Sequence, residues 1–344
     1  MKKVRFGVVG TNFITDWVIA GAREDARFDL AAACSRTRER GEEFARKHGI
    51  PHVFTSLEEM TAGDTVDAVY IATPNCMHAR QSIYCMSRGK HVLCEKPMAS
   101  NAAEARAMIG ASQRFGVTLM EAMKSTLSPN FRAVSENLRR VGRVRRYFAS
   151  FCQYSSRYDK FKEGTVLNAF RPELSNGAIM DIGVYAIYPA VVLFGAPRSI
   201  EAQGVLLSSG ADGQGAVNML YDGMNATVLY SKIADSLLPS EIEGEQGNIL
   251  VDRIQTPTDV RFYARTAPAS GRGARPKPEQ LSVASAYDEY YYEIAEFIDL
   301  VLAGEVSSRV SSHAASLAVM EIVDEVRRQI GVHYPADDNP MLEM

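Results

Sequence analysis

Apolar runs recur at even spacing along the first third of the chain, with helix-like stretches between them. "VRFGVVG" is such a run, and a helix-like stretch follows it to about Arg23. "FDLAAACS" predicts a second strand. "RERGEEFARKHG" predicts a helix, with Gly49 placed to close its C-terminus. Ser56 and Glu59 stand at capping-box spacing for a short helix. "VDAVYIATP" is apolar nearly throughout, as expected of a parallel strand covered on both faces. A helix then runs to Arg88 and stops at Gly89, and "HVLCE" is the next strand. The helix from about Asn101 to Phe115 carries Ala105, Met108, Ile109 and Ser112 on one stripe, and "VTLMEA" closes the series. Strand–helix alternation of this kind predicts right-handed βαβ units and a doubly wound sheet, an α/β domain over residues 1–123.

From about Leu127 the pattern changes. One further helix is expected to Arg140, and then "RRYFASFCQYSS" reads as a long strand. "SIEAQGVLL", "GAVNMLY", "NATVLYSKIA" and "SEIEGEQGNILVD" follow as successive strands joined by Gly, Asp and Asn turns. Long strands with little helix between them predict an antiparallel sheet, hence an α+β domain over residues 124–344. "APASGRGARPKPE" reads as an exposed, mobile loop. Two helices are expected near the end, Tyr287–Leu302 and Ser312–Ile330. The basic run "RRVGRVRR", Arg139 to Arg146, reads as a solvated helix end rather than a binding patch.

Composition narrows the function classes. The 344 residues are 46% hydrophobic and 23% charged, with a net charge of −3. That is an ordinary globular balance and argues against an electrostatic nucleic-acid binder. No apolar run approaches the roughly 18 residues that a membrane helix needs. "MKKVRFGVVG" turns too quickly into a glycine-punctuated strand to be a signal peptide. Cys34, Cys76, Cys85, Cys94 and Cys152 are odd in number and scattered, so they read as reduced, mostly buried thiols of a cytoplasmic protein. The six histidines show no metal-ligand spacing, and no metal is expected.

The candidate chemistry lies where the predicted parallel strands end. After the first strand, "GVVGTNFIT" places Gly10 at the first position of the G-x-G-x-x-G dinucleotide fingerprint, with Asn12 and Thr15 at the other two. Asn tolerates a left-handed turn better than most residues. The amides of Thr11, Asn12 and Phe13, with Ile14 beside them, are placed to meet a pyrophosphate at the helix N-terminus. The second strand ends in Ser35, Arg36, Thr37 and Arg38, with no acid before Glu39. Hydroxyls and a planar guanidinium there favour a 2′-phosphate, hence NADP(H) over NAD(H). In "IMDIGVYAIYPAVVLFG", Asp181 lies in an apolar stretch of helical periodicity, where an unpaired carboxylate is unfavourable. Tyr185, four residues on, shares its face. An acid and a phenol facing a cleft with Lys96 make a general acid/base set. Lys96 is expected to polarise the substrate oxygen and to lower the phenol's pKa by its charge. His78 falls just inside a helix start, where capping or packing is its ordinary use. Trp17 and the tyrosines of "YDEYYYEI" are expected to pack helices.

"GVVGTNFI", "YIATPNCMH" and "CEKP", each at the end of a predicted strand, together resemble the Gfo/Idh/MocA oxidoreductases, the glucose-fructose oxidoreductase and inositol dehydrogenase family. The likeness continues through "SNGAIMDIGVYAI" and "IEGEQGNILV". It implies a Rossmann domain plus a domain with a large, open-faced, mostly antiparallel sheet, often used for dimerisation. By position it implies that Thr73, Pro74, Asn75 and His78 line the nicotinamide side. Glu95 and Lys96 would sit at the reacting centre, with a commonly cis Lys96–Pro97 bond, and Glu121 nearby among the cofactor residues. Tyr185 stands where the family pattern often has His; members with Tyr there resemble the NADP-linked dihydrodiol and xylose dehydrogenases and glucose-fructose oxidoreductase. That weakens transfer from inositol dehydrogenase and leaves open whether Tyr185 or Lys96 carries the proton. The expected function is NADP(H)-dependent hydride transfer to or from a sugar, polyol or related hydroxyl or carbonyl substrate, with Lys124, Asn168 and Arg171 as substrate contacts. A homodimer or dimer of dimers through the second sheet is expected, since an open apolar face needs a cover. The alternative is a non-catalytic NADP-binding regulator on the same fold.

Overall fold

Glycine, proline and polar caps divide the chain much as the pattern predicts, in a computed structural model that describes residues 1–265 and 277–340. Most of "APASGRGARPKPE" lies outside the described residues. Six strands form the first sheet: β1 Val4–Val9, β2 Phe28–Cys34, β3 His52–Phe54, β4 Ala68–Ile71, β5 His91–Glu95 and β6 Leu119–Ala122. They are all parallel, in the order β3-β2-β1-β4-β5-β6. The helices between them are α1 Phe13–Ala22, α2 Arg38–His48, α3 Leu57–Thr61, α4 His78–Ser87 and α5 Ala102–Phe115. β4 and the centre of β5 are buried throughout, as strands covered on both faces must be. Gly49, at φ 65°, closes α2, and the Ser56 hydroxyl accepts from the Glu59 N–H at the head of α3.

The predicted helix to Arg140 is broken in three. Pro129 starts a new helix, so α6 Lys124–Leu127 and α7 Pro129–Asn137 are separate, and a single tight turn covers Leu138–Val141. The second sheet follows: β7 Val144–Cys152, then, after α8 Ser156–Lys162 and α9 Val184–Phe194, β8 Ser199–Leu206, β9 Asp212–Tyr221, β10 Met224–Ser231, β11 Ser240–Gly244, β12 Gly247–Val251, β13 Val260–Ala264 and β14 Glu279–Gln280. Its order is β14-β13-β12-β11-β7-β10-β9-β8, antiparallel except where β10 runs parallel to β7. One face packs on α9 and on α11 His313–Ile330. The other face is open, with Val205 and Leu220 exposed among Glu201, Asn218 and Thr227. The basic run begins as a helix end, with Arg139 and Arg140 in the tight turn Leu138–Val141, and continues onto β7; Arg140 meets Glu279, Arg145 meets Glu245 and Arg146 meets Glu243. A short last helix, α12, covers Pro335–Asp338.

The chain then returns to the first sheet. The helix expected from Tyr287 begins later, as α10 Tyr291–Ala303, and packs on α1 and β1. Phe297, fully buried, sits 5.7 Å from the ring of Phe6. Trp17 is 52% exposed rather than packed away, 5.0 Å from Phe13 and 6.5 Å from Tyr290. α11 ties the two sheets together through Arg327. Its guanidinium is 4% exposed, pairs with Asp324 and Asp337, and reaches the Ser100 carbonyl at 3.4 Å. The packing of α10 predicts that Phe297→Ala lowers the stability of the first sheet by about 3–5 kcal/mol. Urea unfolding followed by circular dichroism checks this, and a loss below about 1 kcal/mol contradicts it.

Candidate active site

The ends of β1, β4 and β5 open on one side of the first sheet, where a doubly wound fold binds ligands. A cleft of about 290 Å³ lies there, lined by Asn12, Phe13, Ile14, Thr73, Pro74, Asn75, His78, Glu95 and Lys96 from the first sheet's side. Arg157, Asn168, Asn176 and Asp181 complete it from the second domain.

The β1–α1 turn shows how the departure from the glycine fingerprint is accommodated. Gly10 has φ +101°, and a Cβ there would lie 2.4 Å from the Ala72 carbonyl oxygen. Only glycine fits such an approach. Asn12 is not left-handed, as its residue type suggested. It is extended, at φ −113°, and serves as the N-cap of α1. Its side-chain oxygen accepts from the Ile14 N–H at 2.9 Å and its amide donates to the Ala72 carbonyl at 2.7 Å. Thr15, at the third fingerprint position, is buried and donates its hydroxyl to the Gly10 carbonyl at 2.7 Å. First-turn N–H groups have no intrahelical acceptor. Asn12 takes those of Ile14 and Thr15, which leaves the Phe13 N–H for an anionic ligand. The turn therefore suits a pyrophosphate. Beside it, Ser35 is buried, Thr37 caps α2, and Arg36 and Arg38 are exposed.

Three loops interlock beneath the cleft. His78 is fully buried, its Nδ1 2.9 Å from the Pro97 carbonyl and its Nε2 3.0 Å from the Thr73 carbonyl. Burial pushes its pKa below the ordinary histidine value, so the neutral ring donates to one of the two. Asn75 donates to the Ser175 carbonyl at 2.8 Å and to the Asn176 side chain at 2.9 Å, and Ser175 bonds Ser100 at 2.9 Å. The Lys96–Pro97 bond is cis. Glu121 does not line the cleft. It is 1% exposed and accepts from the Met98 N–H at 2.9 Å, supporting the turn after Pro97. Burial pushes its carboxyl up to about 7.

Lys96 meets Asp181 across the seam between domains. Its ammonium donates to the Asp181 main-chain carbonyl at 2.8 Å and to Oδ1 at 3.1 Å. Asp181 stands in a wide turn, Ile179–Gly183, ahead of α9. The turn's first N–H is held by the buried carboxylate of Asp212 at 2.7 Å. The other Asp181 oxygen pairs with Lys232, just past the end of β10 and 3% exposed, a residue that the motifs did not single out. Burial alone would raise the Asp181 pKa; the charges of Lys96 and Lys232 outweigh it and hold the carboxyl well below the usual carboxylate range.

Tyr185 lies one layer in, with the Lys96 ammonium 5.0 Å from its ring centroid and Phe151 packed edge-on at 5.8 Å. The expected lowering of its pKa is not found. The phenol is pushed well above its ordinary value, by burial first and then by Glu95, Glu293 and Asp181, because Lys96 approaches the ring face and several carboxylates surround the site. Glu95 accepts the Tyr70 hydroxyl at 2.5 Å, and burial raises its carboxyl despite that bond and the charges of Lys96 and Lys124. Of the expected substrate contacts, Asn168 lines the cleft. Lys124 instead pairs with Glu289 at 2.8 Å and sits 4.1 Å over the Tyr290 ring. Arg171 is exposed and its nearest acid is Glu173, at 3.5 Å. Neither Lys124 nor Arg171 is among the residues lining the cleft, although the Lys124 charge acts on Glu95 there. Among the described residues no group of three or more His, Cys, Asp or Glu is placed to hold a metal ion, and no helix is long and apolar enough to cross a membrane.

Comparison with known proteins agrees with this architecture. Residues 4–123 match the family described as an oxidoreductase family with an NAD-binding Rossmann fold, and residues 133–250 match the Gfo/Idh/MocA C-terminal domain. The chain is 48% identical to scyllo-inositol 2-dehydrogenase (NADP(+)) of Bacillus subtilis, over 97% of its own length and 99% of the relative's. It is 32% identical to trans-1,2-dihydrobenzene-1,2-diol dehydrogenase of Danio rerio, over 97% and 99%. Among solved structures, a levoglucosan dehydrogenase complexed with NADH and levoglucosan superposes with a TM-score of 0.83 at 20% identity, covering 96% of this chain and 98% of that one. A 3-ketoreductase from Actinomadura kijaniata, complexed with NADP and TDP-benzene, gives 0.80 at 25% identity with the same coverage. On these matches the chain belongs to the Gfo/Idh/MocA family of oxidoreductases.

Proposed function

We propose that the chain is an NADP(H)-dependent oxidoreductase that moves a hydride between the nicotinamide and a carbinol or carbonyl carbon of a sugar or polyol. Lys96 carries the proposal. An ammonium has three N–H donors, and the main-chain oxygen and Oδ1 of Asp181 take two of them. The third is left for a substrate oxygen in the cleft that Lys96 lines. When bound, the cofactor accepts or supplies the hydride. In reduction, Lys96 donates to the carbonyl oxygen and its charge favours the negative charge developing there. In oxidation Lys96 would enter as the neutral amine: the hydroxyl gives its proton to that amine, the electron pair of the carbinol C–H bond passes as hydride to the nicotinamide, and the carbonyl forms; reduction runs the same step backward, the ammonium giving its proton to the oxygen. Asp181 holds Lys96 in place throughout. Tyr185, whose phenol keeps its proton, forms an aromatic floor beneath the ammonium.

Gly10, Thr11, Asn12, Phe13 and Ile14 would hold the pyrophosphate, with Thr73, Pro74 and Asn75 toward the nicotinamide. His78 would act from below by fixing the Thr73 and Pro97 carbonyls. The preference for NADP(H) rests on Ser35, Arg36 and Thr37 at the end of β2, where NAD-binding folds place an acid. It agrees with the cofactor in the name of the 48% identical relative. That name also revises the expectation drawn from Tyr185: a cyclic polyol is the first substrate to test. We divide the work between residues 1–123, which bind the nucleotide, and residues 124–344, which shape the substrate side and assembly. The free cysteines, with Cys34, Cys85 and Cys94 buried, support action in the cytoplasm.

Lys96→Met keeps bulk and removes charge and donors. With NADP+ and a panel of inositol isomers, aldoses and 1,5-anhydrosugars, kcat is expected to fall at least about 100-fold with NADP+ affinity nearly intact. Turnover within a few-fold of the parent would show that Lys96 does not touch the reacting oxygen.

Arg36→Ala is expected to weaken NADP+ binding about 10-fold or more and to leave NAD+ binding little changed. Fluorescence titration with both nucleotides measures this. Equal losses for the two would remove Arg36 from the 2′-phosphate.

We also propose that two copies pair through the open face of the second sheet, where Leu220 is 53% and Val205 47% exposed. Sedimentation at micromolar concentration should give a dimer or a dimer of dimers, and a monomer contradicts the pairing.

A further inference from the structure

Lys232 lies behind the cleft, paired with Asp181 of its wall, yet takes no part in the chemistry just described. Its main chain is anchored on both sides of the residue: its N–H donates to the Gly213 carbonyl at 2.8 Å and its carbonyl accepts from Ser155 at 2.9 Å. Its side chain is 3% exposed, passes 5.4 Å from the centroid of Phe170, and ends on Oδ2 of Asp181. A buried ammonium needs a counter-charge, and this one takes the oxygen that Lys96 leaves. The two lysines come from different domains, one after β5 and the other after β10. Asp181 thus has a fixed division of labour, with Oδ1 and the main-chain oxygen toward Lys96 and Oδ2 toward Lys232.

We propose that Lys232 is a positioning residue for the hydride-transfer site, holding the Asp181 carboxylate in the one rotation and charge state that aims Lys96 at the substrate oxygen. This rests on the assignment of Lys96 made above. A single lysine would leave the carboxylate free to rotate about its Cβ–Cγ bond. The second ammonium stops that rotation, because each oxygen is then tied to a different domain. It also keeps the group ionised. The charged and titratable groups facing Asp181 are Lys96 from the β5 end, Lys232 from the β10 end, Tyr185 on its own helix and Arg157 on the cleft wall, with Glu95 beyond Lys96. Burial acts to raise the carboxyl, and Lys96 and Lys232 oppose it. Without Lys232 one of those two opposing charges is gone, so Asp181 titrates at a higher pH. Once protonated, it no longer holds Lys96 as an ion pair.

The test follows the Asp181 carboxyl directly, by carbon-13 NMR of protein labelled at the aspartate side-chain carboxyl with NADP+ bound. The Asp181 signal is identified by its loss in Asp181→Asn. In Lys232→Met and Lys232→Gln the Asp181 carboxyl should titrate at a clearly higher pH than in the parent. With scyllo-inositol as the probe, kcat should gain an acid limb at the same pH. Lys232→Arg, which keeps the charge, should restore the parent's titration. Should the Met variant fold poorly, the Gln variant keeps a hydrogen bond and still removes the charge. An Asp181 midpoint unmoved in both neutral variants overturns the proposal, as does an Arg variant shifted as far as Met. The carboxyl titration reads the Lys232–Asp181 link without turnover, and Lys96→Met reads the chemistry without Lys232, so the two assignments fail separately.

Discussion

Two ammonium groups share one carboxylate at the seam between the sheets, and the geometry of the site depends on that sharing. Neither lysine is free in water: Lys96 is 13% exposed and Lys232 3%. Each needs the charge of Asp181, and Asp181 needs them to remain ionised against its burial. The cluster carries one net positive charge. That excess faces the cleft in which the proposed reduction builds negative charge on an oxygen, so in that proposal the pairing that satisfies the interior also serves the transition state. Electrostatic satisfaction also becomes a positional constraint here, because the three groups come from β5, from the turn before α9 and from β10. The domains are tied together at the point where chemistry is proposed.

Neutral hydrogen bonds hold the loops that carry those charges. Asn75, after β4, bonds Ser175 and Asn176, and His78 bonds the loops of Thr73 and Pro97. Gly177 has no room for a side chain, since a Cβ there would lie 2.0 Å from Oδ1 of Asp212. Asp212 in turn holds the first N–H of the turn that bears Asp181. "TPN", "KP" and "SNG" are distant in sequence and form one bonded unit in space. A change at Asn75 or Gly177 would therefore be felt at Lys96, although neither residue belongs to the pair of charges.

Much of this was legible in the sequence, for identifiable reasons. Continuous apolar runs such as "DAVYIA" are read correctly because a parallel strand covered on both faces has no polar side to confuse the pattern. Gly49 and Ser56 are read correctly because caps act over three or four residues. Asn12 falls at the expected turn, but its backbone is extended rather than left-handed. Residue type suggests a left-handed backbone, whereas the acceptors and donors that determine its conformation lie at Ile14, Thr15 and Ala72, the last 60 residues away. Lys232 was not singled out, because "YSKIAD" is an ordinary strand end with one exposed-looking lysine. Its meaning comes from Asp181, 51 residues earlier. The one available signal is that an acid in the apolar run "IMDIGVYAI" requires partners, and spacing does not say how many or where they lie.

Tyr185 shows the same limit from the electrostatic side. A lysine near a phenol lowers its pKa when the ammonium approaches the hydroxyl, and spacing along a helix cannot say which part of the ring it meets. Here it lies over the ring face, at 5.0 Å, while Glu95, Glu293 and Asp181 all act to raise the phenol. In the proposed reaction Lys96 handles the proton and Tyr185 stays protonated below it. A protonated floor has a consequence for the site: it adds no charge beside Asp181, so the carboxylate answers to the two lysines alone. Had the phenol ionised, a second anion would have competed with the substrate oxygen for Lys96. Burial first, and then those carboxylates, keep the phenol protonated, so no second anion forms beside Lys96.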